Sequence, residues 1–154
     1  MQARIPRHRG FTLVEILIVV AIIGLLAALA TPTFMKARRK AQNARFIADL
    51  RVAVSAFEMR CLEKKGFPPD TMPSQIPQGM AEYLAKMSWT KDTPIGGQWD
   101  WDLGQFGTKS GVSVYRPKAD DKQMEEIDKL IDDGNLATGI FRKRADGYIS
   151  IIEP

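Results

Sequence analysis

The 154-residue chain contains a single cysteine, Cys61, and a single histidine, His8. One cysteine cannot form an intrachain disulfide or a thiolate metal cluster. One histidine near the N-terminus leaves the rest of the chain without imidazole as a general base or a metal ligand. A glycine-rich phosphate loop of the Walker or dinucleotide type is also absent from the sequence. These scarcities predict a protein that is not an enzyme.

The chain also lacks a large excess of charge of one sign. Its 22 basic and 18 acidic residues give a formal net charge of +4. Arg4, Arg7 and Arg9 supply most of that excess, so residues 11–154 carry 19 basic against 18 acidic side chains. With 45% hydrophobic and 26% charged residues, the composition is typical of a folded protein. Whole-chain charge therefore does not predict nucleic-acid binding.

One long apolar run, residues 11–31, stands near the N-terminus and contains Glu15 as its only charged residue. At about 1.5 Å per residue, a helix over this run spans roughly 30 Å, the thickness of a bilayer core. Ala28-Leu29-Ala30 imitates the cleavage site of a secretory signal, and a secreted soluble binding module cut after Ala30 is the alternative prediction. The run exceeds the usual length of a signal-peptide apolar region, which favours a retained membrane helix.

The stretch RGFTLVEILIVVAIIGLLAALATPTF resembles the N-terminus of a type IV prepilin or a type II secretion pseudopilin. Gly10, Phe11, Thr12, Leu13 and Glu15 match the family pattern, which is a basic leader ending in glycine followed by an apolar helix with one early acid. The resemblance implies that residues 1–10 are a leader peptide, which a prepilin peptidase removes after Gly10, and that Phe11 is then methylated. It also implies a single-pass protein of the bacterial inner membrane, with the leader cytoplasmic and the head outside. An assembly platform would transfer it into a periplasmic or extracellular filament.

Three residues of the apolar helix are predicted to act in filament assembly. Glu15 lies about 6 Å along a helix from Phe11, close enough to the headgroups to be tolerated before assembly. In a filament, it can pair with the free amine of a neighbouring subunit's Phe11 and so fix the stagger between helices; the alternative is a tolerated interfacial acid. The resemblance also implies that the helix loosens between Gly24 and Pro32 on packing; the alternative is that both residue types are simply common in membrane helices.

The remaining chain predicts a pilin-like α+β architecture. Residues 32–65 are amphipathic and continue the first helix as its second half, and residues 66–154 form a globular head. A short helix is predicted at Met80–Leu84–Met87, and a capped helix begins at Asp120. QWDWDL, GVSVYRP and a hairpin around Asp146-Gly147 predict an antiparallel sheet of about four strands. This sheet is predicted to pack on the long helix.

Three head features are candidate binding sites. Asp100 and Asp102, together with Asp120 and Asp121, offer oxygen ligands for Ca²⁺; the alternative is a solvated strand face. Trp99 and Trp101 offer a ligand anchor or, alternatively, sheet core. Two groups of basic residues could contact phosphate. Nucleic-acid binding is not expected, because no aromatic residues that could stack on bases are interleaved with these charges. The alternatives are that the first group faces lipid headgroups and that the second protects a sheet edge. The groups are Lys36, Arg38, Arg39, Lys40 and Arg45, and Arg142, Lys143 and Arg144.

Overall fold

The computed structural model describes residues 11–154, so the predicted leader and Gly10 lie outside the described residues. Two helices and four strands follow one another along the chain. They are α1 (Leu13–Lys64), β1 (Gln98–Leu103), β2 (Ser110–Tyr115), α2 (Asp121–Ile131), β3 (Phe141–Arg144) and β4 (Gly147–Glu153). The predicted α+β class, with one long helix and a small antiparallel sheet, is confirmed.

The chain forms two compact units, one ending at Arg39 and one comprising Lys40–Pro154. Helix α1 is continuous over 52 residues, and Pro32 lies inside it. The part of α1 in the first unit is long and apolar enough to cross a membrane, and none of its most apolar window is buried. The part in the second unit contributes buried side chains to a hydrophobic core, namely Phe46, Ile47, Leu50, Ala53, Ala56 and Phe57.

Aromatic side chains join α1 to the sheet in the second unit. The Phe57 ring stacks on Trp101 with 3.9 Å between centroids, and Phe46 stacks on Trp99 at 5.3 Å. Both tryptophans are buried, with 2% of Trp99 and none of Trp101 exposed. The Trp101 indole N–H donates to the carbonyl oxygen of Pro68 at 3.1 Å, which satisfies its polar atom in the core. The prediction that these tryptophans are sheet core is confirmed, and the ligand-anchor alternative is wrong.

The four strands are antiparallel in the order β1-β2-β4-β3, so β1 and β3 are the sheet edges. The hairpin between β3 and β4 is confirmed, but its turn is formed by Ala145 and Asp146, one residue earlier than predicted. Gly147 is already the first residue of β4. A Cβ atom at Gly147 would lie 2.0 Å from the Val114 carbonyl oxygen, so the close approach of β2 requires glycine here.

The short helix predicted at Met80 to Met87 is wrong, since these residues form successive turns. The amide of Leu84 donates to the carbonyl of Met80, whereas that of Met87 donates to Leu84, only three residues back. Met80, Leu84 and Trp89 are buried in the core. Burial of these side chains, and not helical periodicity, therefore sets the path of the segment.

Helix α2 begins as predicted. The Asp120 carboxylate accepts a hydrogen bond from the Gln123 amide at 2.8 Å and caps the helix. Met124 and Ile127 are fully buried on its inner face. The Gln123 side-chain amide also donates to Asn43 of α1 at 2.7 Å, which fixes the start of α2 on the long helix.

Candidate functional sites

The first turn of α1 is closed by a reciprocal pair of hydrogen bonds between Thr12 and Glu15. The Glu15 amide donates to the Thr12 hydroxyl at 3.2 Å, and the Glu15 carboxylate accepts from the Thr12 amide at 2.9 Å. The Thr12 hydroxyl donates to the same carboxylate oxygen at 3.0 Å. This is a capping box, in which a threonine and a glutamate three residues later satisfy two free amides at a helix start. This local role of Glu15 was not predicted, although the spacing T-x-x-E in the sequence indicates it.

Beyond Glu15, α1 presents an apolar surface on all sides up to Leu29. Its leucine, isoleucine and valine side chains are at least half exposed in the isolated chain. A Cβ atom at Gly24 would have no neighbour within 4 Å, so the glycine leaves open space on this surface. Pro32 has no amide hydrogen to donate to the carbonyl four residues back, and the neighbouring Thr31 hydroxyl donates to the Ala27 carbonyl at 2.7 Å. A helix that is apolar all round must be buried in lipid or against other helices.

On the sheet face opposite the tryptophans, Arg144 joins Asp100 and Asp102 in a buried charge cluster. Arg144 Nη2 donates to an Asp100 oxygen at 2.8 Å, and Nη1 donates to both Asp102 oxygens at 2.8 and 2.9 Å. Ser113 on β2 donates its hydroxyl to Asp102. Both carboxylates are about 5% exposed or less. The Phe106 ring lies 4.4 Å from the guanidinium carbon and covers the cluster from one side.

This geometry corrects two predictions. The solvated strand face predicted for Asp100 and Asp102 is wrong because both side chains are buried. Arg144, predicted to be an exposed edge charge, is buried as well, and only Arg142 and Lys143 are exposed on β3. The Arg144 guanidinium pairs with both carboxylates, which were predicted as Ca²⁺ ligands, and so takes the place predicted for the ion.

The four aspartates named as Ca²⁺ ligands are not brought together. Asp121 accepts a hydrogen bond from Tyr148 and forms an ion pair with Lys143. Those two residues share a sheet face with Trp99, as the strand register shows, whereas Asp100 points to the other face. Asp120 serves as the cap of α2.

Burial changes the protonation of the buried cluster. Loss of solvent raises the pKa of Asp100 to about 6, with Arg144 opposing the shift and Asp102 adding to it. Burial likewise raises the pKa of Asp102, against the hydrogen bond from Ser113 and the charge of Arg144. One guanidinium thus shares its charge between two carboxylates, and it only partly offsets their desolvation.

The two basic groups do not form one surface of free charges. Lys36, Arg38, Lys40 and Arg45 are exposed on α1. On β3, Lys143 pairs with Asp121, Arg142 donates to the Gly139 carbonyl at 2.6 Å, and Arg144 is buried. The second group therefore offers few free donors for phosphate.

A further acidic cluster, which was not predicted from the sequence, lies at the end of α2. Asp128, Asp132 and Asp133 each place a carboxylate oxygen within 4.8 Å of the others. Burial, followed by the charges of Asp133 and Asp132, raises the pKa of Asp128. The sequence does indicate that Asp128 and Asp132 are neighbours, because residues four apart lie on the same side of a helix.

Comparison with known proteins agrees with this arrangement. A family model described as the prokaryotic N-terminal methylation motif matches residues 5–31. The chain is 47% identical over 51 residues to the type IV major pilin protein PilA of Myxococcus xanthus, covering 33% of this chain and 23% of that protein. It is 39% identical over 62 residues to the type II secretion system core protein G of Klebsiella pneumoniae, covering 40% of this chain and 44% of that protein. Both alignments span less than half of the relative.

A longer match extends into the head. The chain is 38% identical over 119 residues to the type II secretion system core protein G of Klebsiella michiganensis, covering 70% of this chain and 81% of that protein. No solved structure is significantly similar to the chain. An N-terminal methylation motif, an exposed apolar helix and similarity over most of a relative's length point to one conclusion. The chain belongs to the type IV pilin and type II secretion pseudopilin family, whose members are structural subunits and not enzymes.

Proposed function

We propose that the chain is a filament subunit that is cut after Gly10, methylated at Phe11 and held in the inner membrane until it assembles. Its partners would be a prepilin peptidase, an assembly platform, membrane lipid and other pilin-like subunits. The observation that carries the proposal is the exposed apolar half of α1, which has Glu15 as its only charge. Such a surface is stable in lipid and, without lipid, needs other helices to cover it.

Among filament types, the proposal favours a type II secretion pseudopilus. The match to the Klebsiella michiganensis core protein G covers 81% of that protein and reaches into the head, whereas the match to the Myxococcus pilin covers only 23% of the pilin. Deleting the gene in the native bacterium is expected to reduce secretion of exported enzymes. Loss of surface motility with normal secretion would favour a pilus instead.

Glu15 is proposed to have two successive partners. In the isolated subunit its carboxylate accepts hydrogen bonds from Thr12, which satisfies it locally. In a filament, the free amine that cleavage creates on a neighbour's Phe11 would replace part of that local pairing with an ion pair. A misplaced stagger would leave both charges unpaired in apolar surroundings, so the pair would fix the register between subunits.

The experiment separates the two roles with a matched pair of variants. Glu15→Leu removes the carboxylate half of the capping box together with the ion-pair partner, whereas Thr12→Val removes the hydroxyl half and leaves the carboxylate. Each variant is expressed with the peptidase, and processed membrane-held subunit and sheared filament are both quantified. Glu15→Leu is expected to insert and be cut but to give no filaments, because an unpaired buried amine costs about 3–5 kcal/mol per subunit.

Thr12→Val is expected to assemble, since losing a helix cap costs only about 1 kcal/mol. Glu15→Gln is expected to be intermediate because it keeps an acceptor without the charge. Abundant filaments from Glu15→Leu, or equal failure of the Thr12 and Glu15 variants, would remove the registry role. Intact mass of the processed chain tests the alternative, because a conventional signal peptide would leave Thr31 as the first residue instead of methylated Phe11.

A further inference from the structure

An open cleft of about 510 Å³ lies beside the buried charge cluster, on the sheet face opposite the tryptophans. This volume is within the range of about 300–1,000 Å³ that is typical of ligand sites. The loop before β1, the β1–β2 loop and the β3–β4 hairpin contribute to its wall. Its charged groups are four carboxylates and one guanidinium, namely those of Asp70, Asp100, Asp102, Asp146 and Arg144. This acidic cleft therefore favours a cationic ligand.

Asp100 gives the independent observation that a donor is missing from the acidic cleft. The residue is 5% exposed, and one of its carboxylate oxygens accepts from Arg144. The other oxygen, Oδ1, is buried and has no hydrogen-bond partner among residues 11–154. The Thr71 hydroxyl, also in the wall of the cleft, is buried without a partner in the same part of the chain. Unpaired buried polar groups are costly, so two of them at one cleft indicate a ligand that forms hydrogen bonds.

A further pair of charged atoms at the cleft is incompletely bonded. Arg144 Nε and Asp146 Oδ1 lie 3.3 Å apart, but their geometry is not that of a hydrogen bond. Oxygens of Asp100 and Asp146 can thus accept from a donor in the cleft. Among residues 11–154, three acidic groups converge closely enough for a metal ion only at the end of α2. The separate acceptors of the acidic cleft suit a branched hydrogen-bond donor better than a metal ion.

The rest of the wall suits a flat cation on an apolar stem. The Phe106 ring, which is 48% exposed, and the Tyr115 ring line the cleft, and guanidinium groups stack on aromatic faces. Met72 and Pro73 add apolar surface, against which the methylene stem of a basic side chain can pack. A guanidinium carries five donors in a planar fork and can reach two acceptors at once, whereas an ammonium is a point charge.

We propose that the acidic cleft binds an arginine side chain presented by another protein. The guanidinium donates to Asp100 Oδ1 and to the Thr71 hydroxyl, and it supplies the charge that the carboxylates of the cleft lack. The chain's own exposed basic residues directly follow the membrane-competent run and are expected to face lipid headgroups, so the arginine comes from a different protein. Those residues are Lys36, Arg38 and Lys40.

The test titrates the processed full-length chain, isotope-labelled in detergent micelles, with the peptide acetyl-Gly-Arg-Gly-amide. Nuclear magnetic resonance of the Arg144 Nε–H group and of the Phe106 and Thr71 amides reports occupancy of the cleft. A saturable shift with a Kd on the order of 1 mM is expected, because one side chain makes the whole contact. The matched lysine peptide should bind about tenfold more weakly, which is the loss of one hydrogen bond to a charged group. The peptide with citrulline, a neutral isostere of arginine, should give no saturable shift.

Two variants separate a ligand site from a chance gap in the hydrogen bonding. Asp100→Asn and Thr71→Val each remove an unsatisfied acceptor, so each should leave the free protein at least as stable while it weakens peptide binding. The expected loss of affinity is at least about tenfold for Asp100→Asn and about threefold for Thr71→Val. Asp92→Asn is the control, since Asp92 is exposed and outside the cleft.

The affinity should also depend on pH. Burial raises the pKa of Asp100 to about 6, so its carboxylate is mostly ionised at pH 7 and mostly protonated at pH 5. Binding of the arginine peptide should therefore weaken across this interval. The charged groups that face Asp100 are Asp102 on the same strand, Asp70 in the loop before it, and Arg144 and Asp146 of the β3–β4 hairpin. Burial raises the pKa of Asp102 as well, which adds to the weakening.

Four results would overturn the proposal. The first is no saturable shift at roughly 20-fold excess over the expected Kd. The second is equal binding of the arginine and lysine peptides, which would reduce the cleft to a general negative surface. The third is unchanged affinity in Asp100→Asn, which would place the peptide elsewhere. The fourth is tighter binding of a peptide spanning residues 34–45, which would assign the arginine to a second copy of the chain. The titration does not involve filament assembly, so its failure would leave the proposed function standing.

Discussion

Replacing Arg144 with methionine tests the buried charge cluster most directly. Methionine keeps an unbranched apolar stem of similar reach but removes the cation that, among residues 11–154, contacts Asp100 and Asp102. Deleting one partner of a buried pair typically costs about 3–5 kcal/mol, because the other charge stays buried without compensation. For the unit Lys40–Pro154, the entropy of unfolding is about 0.24 kcal/mol/K at typical values per residue. The melting temperature should therefore fall by roughly 12–20 °C at pH 7.

The same variant should recover stability in acid. Without the guanidinium, burial raises the pKa of both carboxyl groups further in the folded state, and protonation then removes the unpaired charges. The difference from wild type should shrink as the pH falls from 7 towards 4. Near-ultraviolet circular dichroism of the micelle-bound chain reports unfolding through Trp99 and Trp101, which lie on the same strand as the two aspartates.

Arg142→Met is the matched control for this experiment. Arg142 is exposed, lies two residues away on β3 and bonds only to a loop carbonyl among the contacts described. It should shift the melting temperature by no more than about 2 °C. A similar loss in both variants, or a loss for Arg144→Met that does not depend on pH, would contradict the assignment of the buried pair.

Asp100→Asn should stabilise the protein by about 1–3 kcal/mol at pH 7 in urea unfolding. The pKa of Asp100 is raised to about 6 from 3.8, so the wild type loses stability as the pH rises through that window. The variant should lose less, because only Asp102 then keeps a raised pKa; a less stable variant at pH 7 would refute this. Gly10→Val should leave an unprocessed membrane-held precursor on immunoblots, and normal amounts of shortened protein would refute it. Residues 34–154 should sediment as a soluble monomer, because the apolar surface lies upstream, and concentration-dependent filaments would show that assembly resides elsewhere.

The sequence alone was sufficient for the features that depend on local chemistry. The length and purity of the apolar run define a membrane-competent helix, whatever follows it. The alternation of Trp99 and Trp101 with two aspartates predicts a strand, and Asp120 followed by Gln123 predicts the cap of α2. Each of these signals lies within a few residues of the structure it specifies, so no distant contact is needed to interpret it.

Only the tertiary structure decided which of these surfaces are buried. Alternation places Asp100 and Asp102 on the face opposite the tryptophans, but it cannot show what covers that face. Part of the cover comes from Phe106, whose ring lies 4.4 Å from the Arg144 guanidinium carbon.

The charge that balances Asp100 and Asp102 comes from Arg144, more than 40 residues further along the chain. The order β1-β2-β4-β3 brings its strand within reach, and strand order is set by long-range pairing and not by any local pattern. The cluster around Asp128 depends in the same way on the loop that folds back to Ile140. The sequence thus determined the long helix, α2 and the strands, and the face that each strand residue occupies, but not the path of the segment from Met80 to Met87. Contacts between distant segments determined which charges are buried and what compensates them, because burial depends on what packs above a surface.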